Sequence, residues 1–335
     1  MENYTINEEE PQRNAIDNFN RKKNANYKLT PMMSLKVSPT TLNRIDSCAD
    51  NLLFLADILK EKKRLKQGFF CGNRWCPMCA WRKARKDGTK LSIIMSYMQQ
   101  RFQYEFIFLT LTTPNVKADM VDSEIKKFNN SFNKMMKLKR LRGWGIDRRG
   151  NFFNGPVKGY VRKLEVTYNK ERDDYNPHFH VMIAVRKSYF TDSKNYIKQS
   201  EWLQLWQKAT GMDEITQVHV QKVGGSTKNK NKEKAVLEVA KYSAKDSEYM
   251  ESEMVFDTFF SSLKNKRLMV YAGCMNDYAK SYDLGELDDF KMKDNTKYVY
   301  QLISKFNYKL LKYEEEYRLM TPEQQEEVNK EIAKE

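Results

Sequence analysis

The sequence predicts an α+β fold built on an antiparallel sheet. Three features point to it. Runs of β-branched and aromatic residues are interrupted by segments of helical period, two of the runs are joined by a turn-rich linker, and the regular strand–helix–strand alternation of a parallel sheet is missing. At 335 residues the chain has room for two or three modules. Apolar residues at 40% and aromatics at 13% supply a core despite 31% charged residues, which excludes global disorder. No apolar run approaches the roughly 20 residues of a membrane helix. The polar, acidic residues 1–10 read as no signal peptide, so a cytoplasmic protein without a membrane partner is expected. A formal charge of +15 and a pI near 9.3 point to a polyanionic partner such as nucleic acid.

Taken in order, residues 1–45 are polar and read as a loosely ordered segment. Residues 50–60, with Leu52, Leu53, Phe54, Leu55, Ile58 and Leu59, read as a short apolar helix. Residues 91–103 form a helix with Ile93, Ile94, Tyr97 and Met98 as its stripe. Residues 104–113 form the strongest strand, closed by Pro114-Asn115. Residues 119–141 form an amphipathic helix in which Ile125, Phe128, Phe132, Met135 and Met136 recur at three- and four-residue steps. Strands at 159–168 and 178–185, joined by the turn residues 169–177, make an antiparallel hairpin. A helix at 201–209 and a strand at 217–223 follow. Next comes a flexible basic loop, Gly224 to Thr227 with Lys228, Lys230 and Lys232, and then a helix over 233–249. The remainder reads as a helix at 256–263, a strand at 267–273, a long helix over 295–320 and a Glu-rich solvated tail. The implied segments are 1–45, a basic cysteine-rich segment at 46–90, a catalytic domain at 91–250 and a mostly helical C-terminal extension at 251–335.

Five cysteines and no secretory leader argue against a disulfide framework. Cys76 and Cys79 form a C-x₂-C knuckle, whose thiolates can share one tetrahedral zinc ion, with Cys48 and Cys71 completing the set. The plainer alternative is buried thiols, because the spacing of Cys48 and Cys71 fits no standard finger. Residues 60–90 carry eleven Lys or Arg against Glu61 and Asp87. Trp75 and Trp81 are interleaved with Arg74, Arg82, Lys83, Arg85 and Lys86, a mixture suited to phosphate contact and base stacking.

Only three histidines occur, and two of them stand in Asn176-Pro-His-Phe-His180. Residues two apart on a strand share a face, so His178 and His180 project together and can hold one metal ion. In residues 162–168, Glu165 is the carboxylate able to complete a two-His, one-carboxylate set. Such a set leaves positions open for substrate oxygens and suits Mg²⁺ or Mn²⁺. His219 stands alone and reads as a packing or surface residue. Further along, Glu238, Tyr242 and Lys245 fall on one helical stripe at i, i+4 and i+7, offering a base, a phenol nucleophile and a cation to steady a phosphate. A salt-bridged helix surface is the bland alternative. Thr110 and Thr112 share a strand face leading to this site and are candidate DNA contacts, as are Lys228, Lys230 and Lys232.

Four stretches make the sequence resemble the replication initiators of rolling-circle plasmids from Gram-positive bacteria, within the His-hydrophobe-His (HUH) endonuclease superfamily. They are Phe108-Leu-Thr-Leu-Thr112, Arg162-Lys-Leu-Glu-Val-Thr167 leading to the histidine pair, Glu238-Val-Ala-Lys-Tyr-Ser-Ala-Lys-Asp246, and Cys71 to Cys79. The resemblance implies an HUH-type five-stranded antiparallel sheet flanked by helices. It also implies a metal-dependent nickase that binds the double-strand origin of a plasmid. Tyr242 would attack to leave a 5′-phosphotyrosine link and a free 3′-OH primer, and Glu238 would finish the cycle with water. Host helicase and DNA polymerase would be partners, and homodimer formation stays open. The competing readings are a conjugative relaxase or transposase of the same superfamily, and a non-catalytic zinc-type DNA-binding regulator.

Overall fold

In a computed structural model of the protein, the described residues are 15–142, 145–146, 152–153, 155–223, 229–240 and 244–334. They fall into two compact units, Met1–Lys83 with Lys291–Glu335, and Ala84–Phe290. Among the described residues no helix is long and apolar enough to cross a membrane.

The chain starts in the first unit with helices α1 (Ala15–Met33) and α2 (Pro39–Asp46), the latter capped by the Ser38 hydroxyl, which accepts from the Thr41 N–H. The expectation of a loose segment over residues 1–45 is therefore corrected for its described part. Ile16, Phe19, Leu29 and Met33 are buried, and the Phe19 ring meets Phe54 at 5.3 Å and Trp81 at 5.0 Å. Polar residues on the inward face hid this stripe. Lys23 is only 1% exposed and ion-pairs with Asp50 at 2.6 Å, and Asn26 is buried too.

Strands β1 (Asn51–Asp57) and β2 (Lys63–Gly68) follow, and then the long helix α3 (Pro77–Phe102), within which the two units divide. The helix expected over 50–60 is thus a strand. A seven-residue apolar run is too short for periodicity to separate helix from buried strand. Here it is a central strand, with neighbours on both edges.

The second unit continues through β3 (Tyr104–Thr112), α4 (Val121–Met136), the two-residue strands β4 (Gly145–Ile146) and β5 (Phe152–Phe153), β6 (Gly159–Asn169), β7 (Asp174–Arg186), α5 (Gln199–Thr210) and β8 (His219–Val223). It closes with α6 (Asn229–Ala240), α7 (Asp246–Tyr249), α8 (Glu253–Leu263), β9 (Met269–Gly273) and α9 (Cys274–Asp283). Five strands form an antiparallel sheet in the order β8-β3-β7-β6-β9. Because strand side chains alternate between faces, the sheet carries two separate cores. On one face Phe106, Phe108 and Met182 pack with Ile94 and Met98 of α3, Ala235 and Val239 of α6 and Met275 of α9. On the other, Phe179 meets Phe128 and Phe132 of α4 at 4.5 and 5.2 Å, and Phe128 meets Trp206 of α5 at 5.0 Å. The hairpin β6–β7 is the one the sequence predicted.

The chain then returns to the first unit as β10 (Tyr298–Asn307), β11 (Lys312–Leu319) and α10 (Pro322–Lys334), giving a second antiparallel sheet, β11-β10-β1-β2. This corrects the long helix expected over 295–320 and the mostly helical extension over 251–335. It also corrects the division that made 46–90 a separate segment, since β1 pairs with β10 from Asn51↔Lys305 to Asp57↔Tyr298. The alternation is visible in β10, where Tyr298, Leu302, Ser304 and Phe306 are buried at even positions. Asn307 closes the turn, its side-chain oxygen accepting from the Lys309 and Leu310 N–H groups at 2.9 and 3.1 Å. The Glu-rich tail is also anchored, with Val328 and Ile332 buried against Leu55, Tyr298 and Met320.

Candidate functional site

Register brings the site together. β6 and β7 pair Glu165 with His178, and β3 and β7 pair Thr112 with His178 and Thr110 with His180. All five side chains stand on one sheet face. His178 Nε2 lies 3.4 Å and His180 Nε2 2.9 Å from the same oxygen, Glu165 Oε2. Glu165 is 3% exposed. Burial alone would raise its pKa, but hydrogen bonds and charge from both histidines outweigh that and hold it well below the usual carboxylate range. One ligand atom from each of the three residues lies within 4.8 Å of the others, so the group can hold a metal ion.

The chemistry of the donors fits such an ion. A ligating imidazole needs its other nitrogen tied to a partner that fixes the tautomer and the ring. His178 Nδ1 is 3.1 Å from the Asn176 carbonyl oxygen, which can only accept, so Nδ1 can donate there and Nε2 is the nitrogen free to ligate an ion once it gives up its contact with Glu165. His180 Nδ1 is 3.3 Å from Thr110 Oγ1. The His180 ring also stacks on Phe108 at 5.5 Å and 16°. Thr110 was expected to touch DNA, and the structure instead turns its hydroxyl toward a metal-ligand candidate. The roles of Phe108 and of the Asn176 carbonyl were missed, because neither carries a ligand atom that a motif would flag. Thr112 Oγ1 is likewise engaged, donating to Asn176 Oδ1 at 3.0 Å.

Beside this group, α6 presents Glu238, whose Oε2 is 3.9 Å from His180 Nε2. Tyr242 lies outside the described residues. Lys245 is corrected: α6 extends to Ala240, and Lys245 is the extended N-cap of α7, with φ −75° and ψ 139°. It does not share a helical stripe with Glu238 and pairs with Glu248 at 3.2 Å. Tyr249, the other tyrosine near this point, is 4% exposed, with Phe256 and Phe259 rings within 6.1 and 6.4 Å. At the turn end of the β6–β7 hairpin, a polar groove of about 280 Å³ is lined by Thr167, Tyr168, Asn169, Arg172, Asp174 and Asn176, together with Asn115. His219, read as a packing or surface residue, is exposed.

In the first unit the four cysteines converge. Cys48–Cys79, Cys71–Cys79 and Cys48–Cys76 sulfurs are each 3.6 Å apart. A tetrahedron with bonds of about 2.3 Å has an edge of about 3.8 Å, so the cluster has the size of a four-thiolate zinc site. Backbone N–H groups of Cys71, Gly72 and Asn73 point at the sulfurs of Cys48, Cys79 and Cys71 at 3.4, 3.3 and 3.5 Å, which favours thiolates. Hydrogen bonds from Cys48 hold Cys71 and Cys79 below the ordinary thiol value, while Cys48 and Cys76 are pushed up. The four cannot all ionise side by side unless a cation sits between them.

The basic segment divides. Arg74, Lys83 and Lys86 are exposed, and Arg82 and Arg85 half-buried, with the Arg82 guanidinium 3.7 Å above the Phe70 ring. Trp75 and Trp81 are 6% and 9% exposed and belong to the core, which corrects the expectation that they are free to stack on bases. Lys232 is corrected as well. It sits within α6 and donates to Ser96 Oγ and Gln99 Oε1 at 2.9 and 3.0 Å, and burial lowers its pKa. Lys228 lies outside the described residues, as does the side chain of Lys230.

Similarity to known proteins points one way. A family model described as "Replication protein" matches residues 62–318. A "Protein rep" of Staphylococcus aureus is 49% identical over 235 residues, covering 70% of this chain and 95% of the relative. A "Protein rep" of a Bacillus species is 35% identical over 265 residues, covering 73% and 82%. One of Streptococcus pneumoniae is 29% identical over 288 residues, covering 82% and 85%. No solved structure matches the chain significantly. With three quarters of its length matched by one family model, the chain belongs to the Replication protein family, the plasmid initiators of Gram-positive bacteria that its motifs resemble.

Proposed function

We propose that this protein is a metal-dependent nickase and strand transferase that starts rolling-circle replication at a plasmid double-strand origin. The phenol oxygen of Tyr242 attacks the scissile phosphorus as its proton passes to solvent, the bond to the 3′-oxygen breaks, and that oxygen takes up a proton from solvent and leaves as the 3′-OH that primes the host polymerase. The 5′ phosphate remains esterified to Tyr242, which preserves the bond for later transfer. A phenol with a pKa near 10 is a poor nucleophile at neutral pH. Glu165, His178 and His180 would hold a divalent ion such as Mg²⁺ or Mn²⁺, which when bound would supply the charge that polarises the phosphate. Glu238 acts at the end of the cycle by taking a proton from water, so that hydrolysis releases the last strand.

The observation that carries the reading is the pair of imidazoles whose Nδ1 atoms are tied back while both Nε2 atoms face Glu165. A purely structural histidine pair has no need of that arrangement. The polar groove at the hairpin end suits the nucleotides flanking the cut, and the exposed Arg74, Lys83 and Lys86 suit phosphates of the bound origin. The family membership favours replication over conjugative transfer or transposition.

Purified protein, Mn²⁺ and supercoiled origin plasmid test the proposal. Nicked circles and a DNA-linked peptide containing Tyr242 are expected, and Tyr242→Phe removes both while origin binding persists. A DNA-linked peptide containing Tyr249 would move the nucleophile. Binding with no nick and no covalent product under any divalent ion would leave a non-catalytic DNA-binding regulator.

A further inference from the structure

Helix α4 lies on the sheet face away from the histidines and packs there with one side only. Phe128, Phe132 and Met135 are buried. The opposite side exposes Lys126, Lys127, Asn130, Asn133 and Lys134, followed by Lys137 at the C-cap. At 3.6 residues per turn these six fall within an arc of about 120°. A face that only keeps a helix soluble interleaves both signs of charge. Here the carboxylate at its edge, Asp122, is already held by Lys126 at 2.6 Å and by Lys266 at 2.7 Å. Among the described residues Lys127, Lys134 and Lys137 pair with no carboxylate. Lys134 reaches the Lys208 carbonyl of α5 at 3.3 Å, and the side of α5 at Lys208 is exposed as well.

The composition of the face narrows the partner. Unpaired lysines in a row call for a polyanion. A membrane surface also needs apolar side chains to insert, and the exposed positions of α4 are all Lys or Asn. Single-stranded DNA is held by stacking on exposed aromatic rings as well as by charge, and the aromatic residues of α4, Phe128 and Phe132, are buried. What the face offers is point charges with amides between them, the pattern that meets phosphates without reading bases. Ten residues of helix separate Lys127 from Lys137, about 15 Å. Over that length one strand of a duplex presents about four phosphates.

We propose that the exposed side of α4, with Lys208, is a docking surface for the phosphate backbone of duplex DNA, separate from the face that carries the metal-ligand candidates. This rests on the reading of the protein as an enzyme acting on a plasmid origin. It adds a division of labour within the second unit: one face of the sheet serves the cut strand, and the helix on the other holds uncut duplex whatever its sequence.

The test uses the full-length protein and a fluorescent 30-base-pair duplex of arbitrary sequence, with affinity read by anisotropy across a series of NaCl concentrations. In the triple variant Lys127→Gln, Lys134→Gln and Lys137→Gln, the slope of log affinity against log salt should become shallower by about 0.9 per lysine, roughly 2.7 for the three. The charge-retaining triple Lys→Arg variant at the same positions should keep the original slope. A control with the same change of net charge, Lys305→Gln, Lys309→Gln and Lys312→Gln, exposed residues of the first unit, should also keep it. Binding of a thymidine oligomer should be alike in all four proteins. An unchanged duplex slope in the α4 triple Gln variant overturns the proposal and leaves the face to an acidic protein. An equal loss in the first-unit control also overturns it, because net charge would then explain the effect, and an equal loss on the thymidine oligomer overturns the assignment to duplex. Plasmid nicking by the same preparations is scored separately. Nicking by the unaltered protein with no slope change in the variant overturns the docking surface alone, and a slope change with no nicking in any preparation overturns only the nickase.

Discussion

Thr110 and His180 stand directly opposite each other on neighbouring strands, with the threonine hydroxyl 3.3 Å from the imidazole Nδ1. The hydroxyl ties down the nitrogen that faces away from Glu165, so a residue with no ligand atom of its own sets the direction of one. Thr110→Val keeps the shape and removes the anchor. Mn²⁺ affinity measured by calorimetry should fall about 10- to 100-fold, with the melting temperature little changed and Thr110→Ser restoring binding. Unchanged Mn²⁺ affinity in Thr110→Val would return the residue to the DNA-contact role suggested by its strand face.

Glu238 lies 3.9 Å from His180, and its proposed task is confined to the final hydrolysis. With Glu238→Gln, the initial nicking rate should stay near normal while multimeric single strands accumulate, visible on denaturing gels. Monomeric circles at the normal yield would remove the hydrolytic role.

The four cysteines predict about one tightly held zinc per chain as purified. Chelation should strip hydrogen-exchange protection from β1 and β10 of the first unit and leave β3, β6 and β7 protected. Cys79→Ser should lower zinc content and destabilise the same strands. Metal analysis without zinc, together with four freely reactive thiols, would overturn this assignment.

In the first unit, Asp294 accepts from Arg64 at 3.1 Å, from Tyr298 at 2.8 Å and from the Thr296 N–H at 3.0 Å. Burial alone would raise its pKa, and these donors together lower it. A carboxyl held below its unfolded value of about 3.9 stabilises the fold above that value, and the contribution is lost as pH falls through the lowered one. Urea unfolding of the first unit should therefore weaken below about pH 4. Asp294→Asn should cost roughly 1.5–3 kcal/mol at neutral pH, and the gap from the unaltered protein should narrow on acidification. A gap independent of pH would mean that Asp294 acts through packing alone.

Lys232 is tucked against Ser96 and Gln99, so Lys232→Ala should lower the melting temperature and leave the salt dependence of DNA binding unaltered. A shallower salt slope would show that it does reach phosphate.

Much of the second unit is legible in the sequence because its signals are local. The run of residues 104–113, the turn before Asn176 and the period of two in His178-Phe-His180 specify a hairpin with both imidazoles on one face, and Glu165 follows from the same alternation. The first unit is far less legible. Its central strand β1 is a short apolar run that pairs with β10 some 250 residues away, and no local pattern encodes a partner at that distance. Lys23 and Asn26 on the inward face of α1 broke the stripe that would have revealed the helix.

By itself, then, the sequence determined the antiparallel hairpin, the shared face of Glu165, His178 and His180, and the presence of four thiols able to meet, because strand alternation and residue chemistry act over a few positions. Tertiary structure alone decided that Cys48 closes with Cys71, Cys76 and Cys79, that Thr110 and the Asn176 carbonyl aim the two imidazoles, and that Trp75 and Lys232 turn inward. Each of these is a contact between elements remote in the chain, set by how the sheets and helices pack and by which polar atoms burial leaves in want of a partner.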